Sequence, residues 1–258
     1  SSGGITLQTG TARSGNSGGV AIQTGDAKNG GSGGIFIGVG RGVIGKGGDL
    51  VLSSGDSSSS TGGDISIISG GSKTSSSGSI KLSTGEGGEN GGSGNIAIST
   101  GSSSDGSSGS ISMVTGDSSN NGGGDILLKV GSGVSGHGGD IVLHAGGSET
   151  ETGGSVEMRS GKSRDGSSGS ISVKSADSGD IGRSGSVDIM TGKGGTGGSG
   201  GINIVTGTSM DGHGGGITLS VGGSQEGNGG NIALQAGDSR SSTGGAVFIA
   251  SGGSMEGS

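Results

Sequence analysis

Large aliphatic residues run along the whole chain in pairs two residues apart: Ile5/Leu7, Val20/Ile22, Ile35/Ile37, Leu50/Leu52, Ile65/Ile67, Ile80/Leu82, Ile96/Ile98, and so on to Val247/Ile249. Seventeen pairs recur at intervals of fifteen residues, except after Ile80 and Ile171, where the interval is sixteen. A spacing of two is the strand period and places both members on one face of an extended segment. A fixed short period marks a repeat architecture, because one unit cannot bury its apolar side alone and stacks on copies of itself.

With the first aliphatic as position 0, Gly stands at −2 in every repeat, from Gly3 to Gly245, and at +5 in all but one, where Ala176 replaces it. Position +4 is always Thr, Ser, Val or Ala, and position +7 is always Ala, Gly or Ser, as in Ala12, Gly42 and Ser57. Positions +8 and +9 vary among polar and charged types. The pattern predicts an all-β, single-domain parallel β-solenoid over residues 1–258, with about 17 coils of 15–16 residues and a thin, flattened cross-section. Position +7 is expected to face inward against the aliphatic pair. At the usual strand spacing the array would form a rod about 80 Å long. The fixed glycines are expected where φ is positive or where backbones approach without a Cβ between them.

The two sixteen-residue repeats lie 91 residues apart, and the same offset relates Val39, Val130 and Val221. It also aligns LVLSSGDSSSSTGG from Leu50, IVLHAGGSETETGG from Ile141 and IALQAGDSRSSTGG from Ile232. This is a duplicated block of six coils. Either the block is inherited without further role, or lateral contacts recur once per block, with bulges near Asn90–Ser93 and Ile181–Ser184 as natural places for them.

Composition alone points the other way. Seventy-four glycines, no Pro, Cys, Trp or Tyr, and two Phe describe a chain without an ordinary core, and Gly/Ser-rich sequence normally behaves as flexible coil. The unbroken aliphatic phase argues for order. A polyproline-II bundle needs Gly at every third residue, which the columns at −2 and +5 do not supply, and the glycine content excludes helix.

The net charge of −7 is dispersed, with no basic stripe and no aromatic platform, so nucleic acid is not an expected partner. No apolar run approaches a membrane span, and membrane insertion is not expected. His137, His144 and His213 are the only histidines. His137 and His213 share a column five coils apart and read as solvated side chains. Gly161-Lys162-Ser163 imitates the end of a phosphate loop, but Val156 stands where that loop requires Gly. Asp49, Asp64, Asp125 and Asp140 suggest half of a calcium-binding repeat, with Asp49 and Asp56 as the pair to hold an ion between coils, although the period is wrong and Asp tolerates turns for its own reasons. Ice binding would need a lattice of outward hydroxyls, and outward positions hold Thr6, Gln8, Phe36, Glu157 and Arg159 instead. The expectation is no catalytic, cofactor or metal site.

GGDISIISG, GNIAISTG and GGNIALQAG resemble repeats of filamentous-haemagglutinin-type bacterial adhesins, and the Gly/Ser-rich array resembles large surface proteins of diatoms and other algae. The adhesin resemblance implies a right-handed β-helix with a second aliphatic strand per coil, which the small residues at position +7 do not provide. The functional expectation is a structural fibre or stalk protein of the extracellular space or cell surface, without catalysis. Neither end carries a capping irregularity, so the expectation is that the array either continues in a longer parent protein or associates with itself end to end, with lateral self-association as a further expectation. Outward serines are candidates for O-linked glycans. The alternative is an adhesin or binding module for carbohydrate, mineral or ice, in which Phe36, Val51, Ile68, Leu127, Val142, Val205 and Phe248, outward by phase, would make contact.

Overall fold

A computed structural model describes residues 2–253. The expected β-solenoid is not what forms. Among the described residues there is no helix and no strand, and none is buried. Surface area shows how far the chain stands from a packed domain. A folded chain of 23.6 kDa exposes about 10,000 Å² and a fully extended one about 34,000 Å². This chain exposes 26132 Å². The physical reason lies in the repeat itself. Two aliphatic side chains per repeat, with a few scattered apolar residues beside them, are the large apolar surface, and the remainder is dominated by Gly and Ser, whose ordering is entropically expensive and returns little burial.

The fifteen-residue period is nevertheless written into the backbone. Contacts divide the chain into two units, Ser1–Leu128 and Lys129–Ser258. In the first, the chain bends at residues 13–15, 28–30, 43–45, 58–60, 73–75, 89–90, 104–106 and 119–121. In the second it bends at 134–136, 149–151, 164–166, 180–182, 196–197, 210–212, 225–227 and 240–242. Each repeat is thus a non-helical segment carrying the aliphatic pair, followed by a loop that returns on itself. The loop ends meet, as in an Ω-loop.

Position +7 is where many of these loops are closed, so its expected place against the aliphatic pair is corrected. The Oγ atoms of Ser57, Ser72, Ser103, Ser118, Ser148, Ser163, Ser209, Ser224 and Ser239 accept a hydrogen bond from the backbone N–H three residues on, at 2.8–3.1 Å. This is a side-chain imitation of a backbone turn, a habit of short hydroxyl residues. The two sixteen-residue repeats use backbone instead: Gly91 N–H donates to Gly88 C=O and Gly182 N–H to Gly179 C=O, both at 3.1 Å. Gly198 N–H does the same to Gly195 C=O in the repeat that starts at Val187. The extra residue is therefore absorbed in a loop, and no sheet exists for it to bulge.

Candidate interaction surface

The loop ends come together through the glycine at −2. A Cβ placed on any of the sixteen glycines from Gly18 to Gly245 in this column would lie within 4 Å of the position +4 side chain of the preceding repeat. Gly18 meets Thr9, Gly63 meets Ser54, Gly139 meets Val130 and Gly245 meets Ala236. Positive φ is not involved. Among the described residues it occurs only at Gly15, Gly45 and Gly198, none of which belongs to the −2 or +5 column. A Cβ would clash at Gly48, Gly139 and Gly230, against Val39, Val130 and Val221 at 2.8, 2.8 and 2.5 Å, and would be tight at Gly63 and Gly109; at the other positions of the column it would make ordinary contact.

The identity of position +4 decides how tightly the junction closes. Where it is Ser54, Ser69, Ala145, Ser160 or Ala236, the −2 glycine N–H donates to the +5 glycine carbonyl: Gly63 to Gly55, Gly78 to Gly70, Gly154 to Gly146, Gly169 to Gly161 and Gly245 to Gly237, at 2.8–2.9 Å. Where it is Thr or Val, no such bond forms, and the glycine faces the side-chain Cβ or γ-methyl instead. A γ-methyl occupies the approach path, as at Val221, whose Cγ1 would lie 2.5 Å from a Cβ on Gly230. Thr24 and Thr206 compensate with their own hydroxyls, which donate to the carbonyls of Gly33 and Gly215 at 3.1 and 3.2 Å. Ser175 is the exception, and it sits in a sixteen-residue repeat. The closed junctions recur at an offset of 91: Gly55, Gly146 and Gly237, and likewise Gly70 and Gly161.

The aliphatic pairs are left uncovered. From Val20 to Val247, position 0 is 50–61% exposed, and from Ile22 to Leu234, position +2 is 61–73% exposed. Phe36, Ile68, Leu127, Val205 and Phe248, on the alternate phase, stand further out. Even so, the pair is far from buried. The best-shielded large hydrophobics are Val130 and Val221, at 40% and 44%, both at position +4 against a glycine.

The +5 glycines behave differently from those at −2. At all sixteen, from Gly10 to Gly252, an added Cβ would meet nothing within 4 Å, and φ is not positive. Neither sterics nor backbone conformation within the chain asks for Gly there.

The chemically suggestive residues are not gathered. Among the described residues, no three His, Asp or Glu side chains come together as a metal-binding group. His137, His144 and His213 are all exposed. Asp49 pairs with Lys46 at 3.1 Å, on the surface, where such a pair contributes little. Arg159 and Glu157 pair in the same exposed manner. The Ser163 hydroxyl, next to Lys162, is engaged with Gly166 N–H in loop closure. The position +7 hydroxyls and the dependence of the junction on position +4 were missed in the sequence, although the Ser column at +7 was a readable sign of a turn.

Compared with known proteins, the chain matches no family model, no curated protein and no solved structure.

Proposed function

We propose that this chain is a structural, fibre-forming protein of the extracellular space or cell surface, whose work is mechanical continuity and whose partner is itself. The observation that carries this reading is the exposure of an aliphatic pair in the same phase in repeat after repeat. The area exposed above that of a folded domain of equal mass is about 16,000 Å², roughly ten times what a standard protein interface covers. Surface of this kind, distributed at a fixed interval, favours many weak and equivalent contacts over one strong site. Gly and Ser between the pairs keep each unit hydrated. The extracellular setting follows from the resemblance to surface adhesin repeats, and serines at the bends are the positions open to O-linked sugar.

Electron microscopy of the purified chain at neutral pH, with light scattering across a concentration series, tests the reading. Long filaments of uniform width are expected. A variant carrying Ile65→Ser, Ile67→Ser, Ile96→Ser and Ile98→Ser should form them far less readily. A chain that stays monomeric at every concentration, or a variant that assembles as well as the parent, would refute it.

A further inference from the structure

We infer that the loops hold sites of spontaneous covalent modification at Asn29, Asn121 and Asn228, where the backbone nitrogen of the following glycine closes a ring on the asparagine side chain. Asparagine precedes glycine at Asn29, Asn90, Asn121 and Asn228. All four pairs are exposed and lie at or beside the bends of their repeats. Glycine in second place leaves its nitrogen unshielded by a Cβ and lets the backbone reach the conformations that the attack needs. In the step itself the glycine nitrogen bonds to the side-chain carbonyl carbon of the asparagine. The bond from that carbon to the side-chain nitrogen breaks, ammonia leaves with the proton lost by the glycine amide, and a five-membered succinimide remains. Solvent water then opens the ring at either carbonyl, giving aspartate or isoaspartate. Each conversion adds one negative charge to a chain of net charge −7, and the isoaspartate route adds one carbon to the loop backbone.

The hydrogen bonding of the attacking N–H sorts the sites, because an amide that donates must give up its bond before it reacts. Gly91 N–H donates to Gly88 C=O at 3.1 Å, which holds Asn90 back. The amides of Gly30, Gly122 and Gly229 have no such bond among the described residues, and the space where their Cβ would stand is open. Each loop shows why. The repeat of Asn29 carries Ala27 at position +7 and so has no closing hydroxyl. In the other two repeats the hydroxyls of Ser118 and Ser224 are taken by the amides of Asn121 and Gly227, which lie before the glycine that would attack. Asp105-Gly106, Asp165-Gly166 and Asp211-Gly212, which could close the same ring with loss of water, have the opposite arrangement. There the glycine N–H itself donates to the Oγ of Ser103, Ser163 and Ser209, at 2.9–3.0 Å. The serine that closes a loop thus also guards it.

The test incubates the full chain at mildly alkaline pH, in buffer and in concentrated urea, and follows each asparagine by peptide mass spectrometry, with isoaspartate identified by fragmentation. In buffer, Asn29, Asn121 and Asn228 should convert about fivefold faster than Asn90, the factor that one net hydrogen bond supplies. In urea, where the Gly91 bond is lost, Asn90 should draw level. Ala27→Ser provides the absent hydroxyl three residues before Gly30 and should slow conversion of Asn29 about fivefold. In Asp105→Asn the new asparagine should convert slowly, and adding Ser103→Ala should speed it by about the same factor. One common rate for the four native sites in buffer, a rate ratio that urea leaves unchanged, or no response to either serine substitution would overturn the inference. Products without isoaspartate would overturn the ring-closing step.

Discussion

The junction between repeats offers a switch that a single methyl group should throw. At Ser54 the way is clear, and Gly63 N–H reaches the Gly55 carbonyl at 2.9 Å. At Thr115 the corresponding amide, that of Gly124, has no such partner, and a Cβ on Gly124 would stand 3.6 Å from the threonine γ-methyl. Ser54→Val puts a branched side chain in the approach path and should open the first junction; Thr115→Ala removes one and should close the second. An intramolecular hydrogen bond contributes about 1 kcal/mol net, which at room temperature is about a fivefold change in the closed-to-open ratio. Amide hydrogen exchange of glycine-labelled protein reads this directly. Gly63 should exchange about fivefold faster in Ser54→Val, and Gly124 about fivefold slower in Thr115→Ala. Unchanged Gly63 exchange in the first variant, together with no slowing at Gly124 in the second, would show that the γ-methyl does not govern closure.

Further outcomes follow from the same geometry. Ser103→Ala should free the Gly106 amide, now bonded to the serine Oγ at 3.0 Å, and speed its exchange, whereas Ser103→Thr should retain the bond. Gly48→Ala should disturb its loop more than Gly19→Ala, because its Cβ would lie 2.8 Å from Val39 Cγ1 while that of Gly19 meets nothing; chemical-shift changes spreading to Val39 in the first variant alone are the readout.

How much of this was legible in the sequence depends on which force set each feature. The period is a local matter of spacing, and the bends recur in the structure where the pattern puts them. From Val20 to Val247, position 0 is less exposed than Phe36 or Ile68 on the other phase. The solenoid does not form, because stacking requires each coil to offer enough apolar surface to organise its neighbour, and a pair such as Ile65 with Ile67, even joined by Ile68, does not provide it. Size alone makes position +7 a small inward residue, whereas the relevant property of Ser57 or Ser163 is a hydroxyl that accepts the N–H three residues on. The junction's dependence on Ser or Ala against Thr or Val is a matter of one methyl group. It becomes visible only when Gly63 and Gly55 are seen face to face.

Closed loops also store length. From Gly55 to Gly63 the chain takes eight residue steps, its ends held by a single bond of 2.9 Å, whereas the same stretch pulled straight reaches about 26–29 Å. Under tension, junctions gated by Thr or Val would pay out first and those latched by Ser or Ala afterwards. The latches sit in the same places 91 residues on. A fibre built of such chains, if tension reaches the loops, would yield in two stages, recoil as its loops re-form, and repeat its stiff points at a fixed interval.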